Sequence, residues 1–147
     1  MQYQEARQGR IFVLRLEHGE VQHEVIEAFA RERSIRAGVL TILGGVDQGS
    51  RLVVGPRDGA ARPIDPMQHL LTRPREAVGT GTLFPDESGN PILHMHLACG
   101  RKDSTVTGCI RGGVKAWQIL EAVLIELVDC PGKRVLDRDL GFKLLQF

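Results

Sequence analysis

PILHMHLACGRKDSTVTGCI, residues 91–110, reads as two strands joined by a polar turn, and that reading decides the fold. Leu93, Met95 and Leu97 alternate with His94, His96 and Ala98, the period-2 pattern of a strand with one buried face. After the Gly100-Arg101-Lys102-Asp103 break, the segment 105–110 resumes with β-branched residues, so the two runs form an antiparallel hairpin. A turn centred on Arg101-Lys102 predicts partners whose numbers sum to about 203. Cys109 then lies opposite His94 and Thr107 opposite His96, all on one face.

Outward from this hairpin the same period recurs. Strands are expected at 10–16, with Phe12, Leu14 and Leu16 inward, and at 39–43, 50–54, 67–72, 77–84 and 142–145. Residues 117–128 have helix-like length and Leu/Glu content, but Val123-Leu124-Ile125-Glu126-Leu127-Val128 favours a strand. One segment changes period. From Glu20 to Ser34, Val21, Val25, Ala28 and Phe29 share a stripe, with Gln22, His23, Glu27 and Arg31 outside it, which predicts an amphipathic helix over about 20–34. Gly44-Gly45 and Gly79-Thr80-Gly81 mark places where backbone approaches closely or bends. The expected class is α+β: a mostly antiparallel sheet with one principal helix.

Bulk composition agrees with one domain over residues 1–147, with a core of about 9–145. At 147 residues a chain buries enough surface to fold without staples. Aromatic residues are only 5% against 42% hydrophobic overall, so aliphatic side chains fill the core. Nineteen basic and eighteen acidic residues leave a net charge of +1. The basic residues are scattered in short groups such as Arg31, Arg33 and Arg36, or Arg101 and Lys102, which argues against a nucleic-acid stripe. Three cysteines without C-x-x-C spacing point to free thiols and a cytoplasmic setting. No apolar run reaches the roughly 18 residues of a membrane span.

Chemistry concentrates on His94 and His96. Two imidazoles at i and i+2 of a strand stand side by side, and a thiolate at Cys109 would add a third donor for a borderline-soft divalent ion such as zinc, with a fourth position open. The same residues also suit a surface histidine pair beside a small apolar cysteine. His18 falls in a turn, His23 is placed to pair with Glu27 at i+4, and His69 lies on a strand whose packing needs no ligand. Glu121 and Glu126 interrupt an apolar segment; edge exposure accounts for both, and Glu121 is the weak candidate for a base in a metal-dependent enzyme. No phosphate loop and no G-x-S-x-G is present.

The order of segments resembles a known family. G-R-I-F-V-L-R-L-E-H-G-E (9–20), A-G-V-L-T-I-L-G-G-V (37–46), G-T-G-T-L-F-P-D-E-S-G-N-P-I-L-H-M-H-L (79–97) and T-V-T-G-C-I-R-G-G-V-K-A-W-Q-I-L-E-A-V-L-I-E-L (105–127) together resemble the plants-and-prokaryotes conserved (PPC) domain, in its stand-alone prokaryotic form. The resemblance implies a homotrimer with an H-x-H strand and a later G-G-H segment as a metal cluster. His94 and His96 match the first; Thr107-Gly108-Cys109 stands where G-G-H is expected, exchanging the third histidine for cysteine. A small-molecule ligand near this cluster, a metal-dependent enzyme, and an oligomeric DNA-associated or regulatory scaffold are the three roles the resemblance leaves open. The R-G-R-P of the plant AT-hook is absent, so DNA contact by this domain alone is not expected.

Overall fold

The computed structural model describes all of residues 1–147. Its strands are β1 (Arg7–Glu17), β2 (Gly38–Val46), β3 (Arg51–Pro56), β4 (Pro66–Leu70), β5 (Arg75–Pro85), β6 (Pro91–Arg101), β7 (Ser104–Cys109), β8 (Ala116–Val128), β9 (Lys133–Asp137) and β10 (Phe142–Gln146). A single helix, α1 (Gln22–Glu32), follows β1, and a 3-10 turn, Ile110–Gly112, follows β7. Eight strands form one antiparallel sheet in the order β1-β8-β2-β5-β6-β7-β3-β4, and β9 pairs with β10 in a separate hairpin. The expected α+β class holds.

Alternation divides the sheet into two faces. Inward residues such as Leu40, Ile42, Leu83, Leu93, Met95, Leu97, Leu120 and Leu124 are fully buried or nearly so and share one core cluster with Ile26 and Ala30 of α1. Each such aliphatic side chain contributes about 1.5–3 kcal/mol by leaving water. Phe12 of β1 meets Phe29 of α1 edge to face, centroids 5.2 Å apart, and fixes the helix against the first strand.

The helix is shorter than expected and rolled by one position. It starts at Gln22 rather than Glu20 and ends before Ser34, whose φ of 55° breaks the helical path. Gln22, Ile26 and Ala30 are its buried residues, while Val25, Ala28 and Phe29 are half-buried. The apolar stripe was read around Val25 and Phe29, whereas Ile26 and Ala30, one turn apart, actually face the sheet and carry Gln22 inward with them.

Residues 116–128 are indeed a strand. Hydrogen bonding to β1 on one side and β2 on the other outweighs the helix-forming content of Leu and Glu. The Gly44/Gly45 step coincides with a register shift against β8. Gly79 and Gly81 of β5 face Leu97 and Met95 of β6 so closely that an added Cβ would stand 2.2 Å from His96 O and 2.6 Å from Met95 Cβ. Only glycine allows β6 to lie that close to β5.

Two expectations need correcting. The hairpin turn falls on Lys102-Asp103, with Lys102 at φ 51°, so partners on β6 and β7 sum to 205 rather than 203: Cys109 faces His96, and Thr107 faces Ala98. Glu126 is not an exposed edge residue. It is buried and holds Arg10 through Nε at 2.7 Å and Nη2 at 2.8 Å, and its Oε2 also accepts the Arg10 N–H. Residues 133–137, for which no element was expected, form a strand that completes a hairpin with β10.

The hydrogen bond from Arg10 holds the Glu126 carboxyl below its ordinary range, against the opposing effect of burial. A carboxyl with a depressed folded pKa stabilises the fold above its unfolded value, about 4.3, and that contribution fades as pH falls through the folded value. Wild-type stability in urea is therefore expected to decline as pH falls below about 4.3 towards the folded value. Arg10→Met, which leaves Glu126 buried without its cation, should flatten or reverse that decline; parallel curves for the two proteins would show that the pair carries no pH-dependent stability.

Candidate metal centre

The inward packing of Leu93, Met95 and Leu97 turns His94 and His96 to the outer face of the sheet. Their Nε2 atoms lie 3.1 Å apart, with ring centroids at 5.0 Å and planes at 72°. Cys109, the last residue of β7, sits directly across from His96 and directly across from Val53 of β3 on its other side. The donor atoms of His94, His96 and Cys109 all lie within 4.8 Å of one another.

The set fits a tetrahedral ion on three counts. Two nitrogens at about 2.05 Å from a zinc ion stand about 3.3 Å apart, close to the separation found here. Nitrogen and sulfur ligands require about 3.6 Å, and the donor atoms here lie within 4.8 Å of one another. The chemistry of two imidazoles and one thiol is that of a borderline-soft ion rather than of calcium or magnesium. The slip of two residues in register explains why Cys109 still belongs to the group. Because the period is 2, an even slip keeps the residue on the same face.

Around these donors the charges are arranged by the β7 end and by β9. His94 has its pKa lowered, first by desolvation and then by the cations of Arg134, by His96 and by Arg111. The imidazole thus stays neutral to lower pH than an ordinary histidine, the form that binds a metal. Arg111, two residues beyond Cys109, is held by Glu27 of α1 at 2.7 Å. Glu27 Oε1 also accepts the N–H of Leu93 at 2.7 Å, where β7 has already turned away from β6. Helix α1 is therefore fastened to the histidine strand through one carboxylate.

Other residues singled out in the sequence lie elsewhere. His23 is not paired with Glu27, which is taken by Arg111; its Nδ1 is buried without a partner. His18 Nδ1 accepts the Gln118 N–H at 3.2 Å. His69 pairs with Leu52 on the opposite face of the sheet from Cys109. Cys99 points into the core, and burial pushes its thiol up to about 11. Glu121 is exposed on the outer face between Arg15 and Leu43, three strands from β6 or about 14 Å, too far to touch a molecule held by His94 and His96 of its own chain.

Arg134 is the neighbour that sequence reading missed. It arrives from β9, and its guanidinium lies on Thr82, the cross-strand partner of His94. A basic residue in a five-residue strand far along the chain carries no local signal of this position.

The family model of the Plants and Prokaryotes Conserved (PCC) domain matches residues 3–128. Among solved structures, a metal-containing protein from Archaeoglobus fulgidus is 22% identical over 100% of both chains, with a TM-score of 0.86. A plant- and prokaryote-conserved (PPC) protein from Pyrococcus horikoshii is 16% identical over 100% of both chains, with a TM-score of 0.78. A protein from Bacteroides thetaiotaomicron, described as a candidate DNA-binding protein, is 18% identical over 97% of each chain, with a TM-score of 0.76. No curated protein matches the chain. These identities establish a shared fold, and the match over residues 3–128 goes further: the chain belongs to the Plants and Prokaryotes Conserved domain family.

Proposed function

We propose that the chain is a metal-binding module that holds one divalent ion, zinc, through His94 Nε2, His96 Nε2 and Cys109 Sγ. The observation that carries this reading is the convergence of the three donor atoms within 4.8 Å on adjacent strands. Three protein donors leave a fourth position for a small molecule, and an ion there polarises whatever atom occupies it. His94 and His96 orient their rings through the rigid spacing of β6, and Cys109 supplies the negative charge that makes the set suited to a soft ion. The metal-containing Archaeoglobus fulgidus protein of the same fold supports the reading. Free thiols at Cys99, Cys109 and Cys130 suit a reducing, cytoplasmic setting.

We further propose that the module works as a homotrimer, packed through the outer face of the sheet. Val13, Val78, Leu43 and Ile11 there are 54–81% exposed, and Ile119 and Val123 add to the same face. Apolar side chains gathered on four adjacent strands exceed what a monomer usually leaves in water. Second and third copies of the chain are the occupants that the resemblance to the PPC domain supplies.

Metal content after purification without chelator should approach one zinc per chain. His94→Ala, His96→Ala and Cys109→Ala should each weaken zinc binding by more than about 100-fold, beyond the loss usual for a supporting hydrogen bond. In the cobalt-loaded protein, only Cys109→Ala should abolish the thiolate charge-transfer band while the two histidines are intact. Wild-type protein without metal, and without uptake on titration, would end the metal reading. Because imidazole and thiol must lose protons to bind, zinc affinity should fall steadily on acidification.

Light scattering should give three times the chain mass for the wild type. Leu43→Asp places a charge inside the apolar face, on β2 between β8 and β5, and should shift the protein to the monomer with its circular dichroism unchanged. A wild-type monomer would overturn the trimer reading.

A further inference from the structure

Arg134 is buried, 4% exposed, yet no carboxylate neutralises it. Its Nη2 donates to Thr82 Oγ1 at 2.8 Å and to Thr82 O at 3.1 Å, and its Nε points at Ile92 O at 3.4 Å. All three acceptors are neutral. Asp86, which bridges to Arg134 through the backbone, spends its carboxylate on Lys143 Nζ at 2.8 Å and on the N–H groups of Ser88 and Asn90. Nη1 makes no hydrogen bond to any group of the chain. A guanidinium withdrawn from water without a counter-charge is costly, and proteins tolerate it where something else supplies the anion.

Position narrows what that anion is. Thr82 pairs with His94 across β5 and β6, and both side chains stand on the outer face, so the guanidinium lies beside the histidine pair. Burial lowers the pKa of His94 and that of Arg134; the Arg134 cation adds to the effect on His94, while Cys109 opposes the effect on Arg134, which places all three in one electrostatic neighbourhood. Arg111 also faces this neighbourhood, but Glu27 balances it. A divalent ion with two neutral imidazoles and one thiolate carries a net +1, and Arg134 brings the centre to +2.

We infer that Arg134 is the anion anchor of this centre, and that the molecule taken there carries a small oxyanion group, carboxylate or phosphate, received by Nη1. Resting on the metal reading for its other half, this names the ligand class of the same site. Thr82 and Ile92 act as the fixed back of the anchor, occupying Nη2 and Nε so that the Nη1 side of the fork is presented. Arg134 lies beyond the residues 3–128 that match the family model, so the anchor belongs to the C-terminal hairpin of this chain.

Protein labelled with 15N-arginine reports on it directly. The Nε–Hε resonance of Arg134, identified by its loss in Arg134→Lys, should move saturably when zinc-loaded wild type is titrated with acetate or with inorganic phosphate; the tighter of the two tells carboxylate from phosphoryl ligand. Arg134→Gln should weaken anion binding, followed by calorimetry, at least about tenfold, the loss of one charge-assisted hydrogen bond. Its zinc content should be unchanged. Arg134→Lys, which keeps the charge and spares the hairpin, should retain part of the anion affinity. A resonance unmoved by either anion up to about 50 mM, or equal anion affinity in Arg134→Gln, would overturn the inference and leave Arg134 a staple between β9 and β5. The same titration on chelator-treated protein separates the two ideas: anion binding without zinc uptake ends the metal reading and keeps the anchor, and zinc uptake without anion binding does the reverse.

Discussion

The close seating of β6 on β5 is the constraint from which the rest follows. Leu97 and Met95 seat themselves over Gly79 and Gly81, which offer no side chain beneath them, and Leu93 packs beside Leu83. Once those three residues are inward, His94 and His96 have one direction left. A slip of a single residue would bury both imidazoles and expose three large apolar side chains, at a cost of several times the 1.5–3 kcal/mol that each contributes. The site is thus held by the core, and its donors need no specific interactions of their own to point outward.

Period-2 patterning made much of this legible from residues alone. It located the histidine strand, its outward face, and Cys109 as a same-face neighbour. The register was out by two because the turn moved by one residue, to Lys102-Asp103, and a hairpin turn changes the sum of partner numbers by two for each such step. Parity survived, so membership of the face survived with it. Choosing a strand for residues 116–128 rested on β-branched content, and two flanking partners bear it out.

What stayed hidden was long-range pairing of charge. Glu126 looks like any acidic residue in an apolar run, and nothing in its surroundings in sequence points to Arg10, 116 positions away. Glu27 was assigned to the nearest helical neighbour, His23, whereas tertiary structure gives it Arg111 and the Leu93 N–H. Arg134 is the same lesson at the site itself. A net charge of +1 conceals these local arrangements, in which nearly every buried charge is matched and one near the histidines is not.

The placement of β8 has a consequence for how the chain acquires this structure. The β6–β7 hairpin brings His94, His96 and Cys109 together across a two-residue turn, so the three donors can meet through local closure, the fastest kind of strand pairing. The sheet is different. Strand β2 can pair with β5 early, but β1 has β8 as its one partner and cannot find it until residues 116–128 have been made. During synthesis β1 therefore waits unpaired, while a nascent hairpin already brings the two histidines and Cys109 together. The first strand made is among the last to be paired, and the order of assembly runs from the histidine hairpin outward.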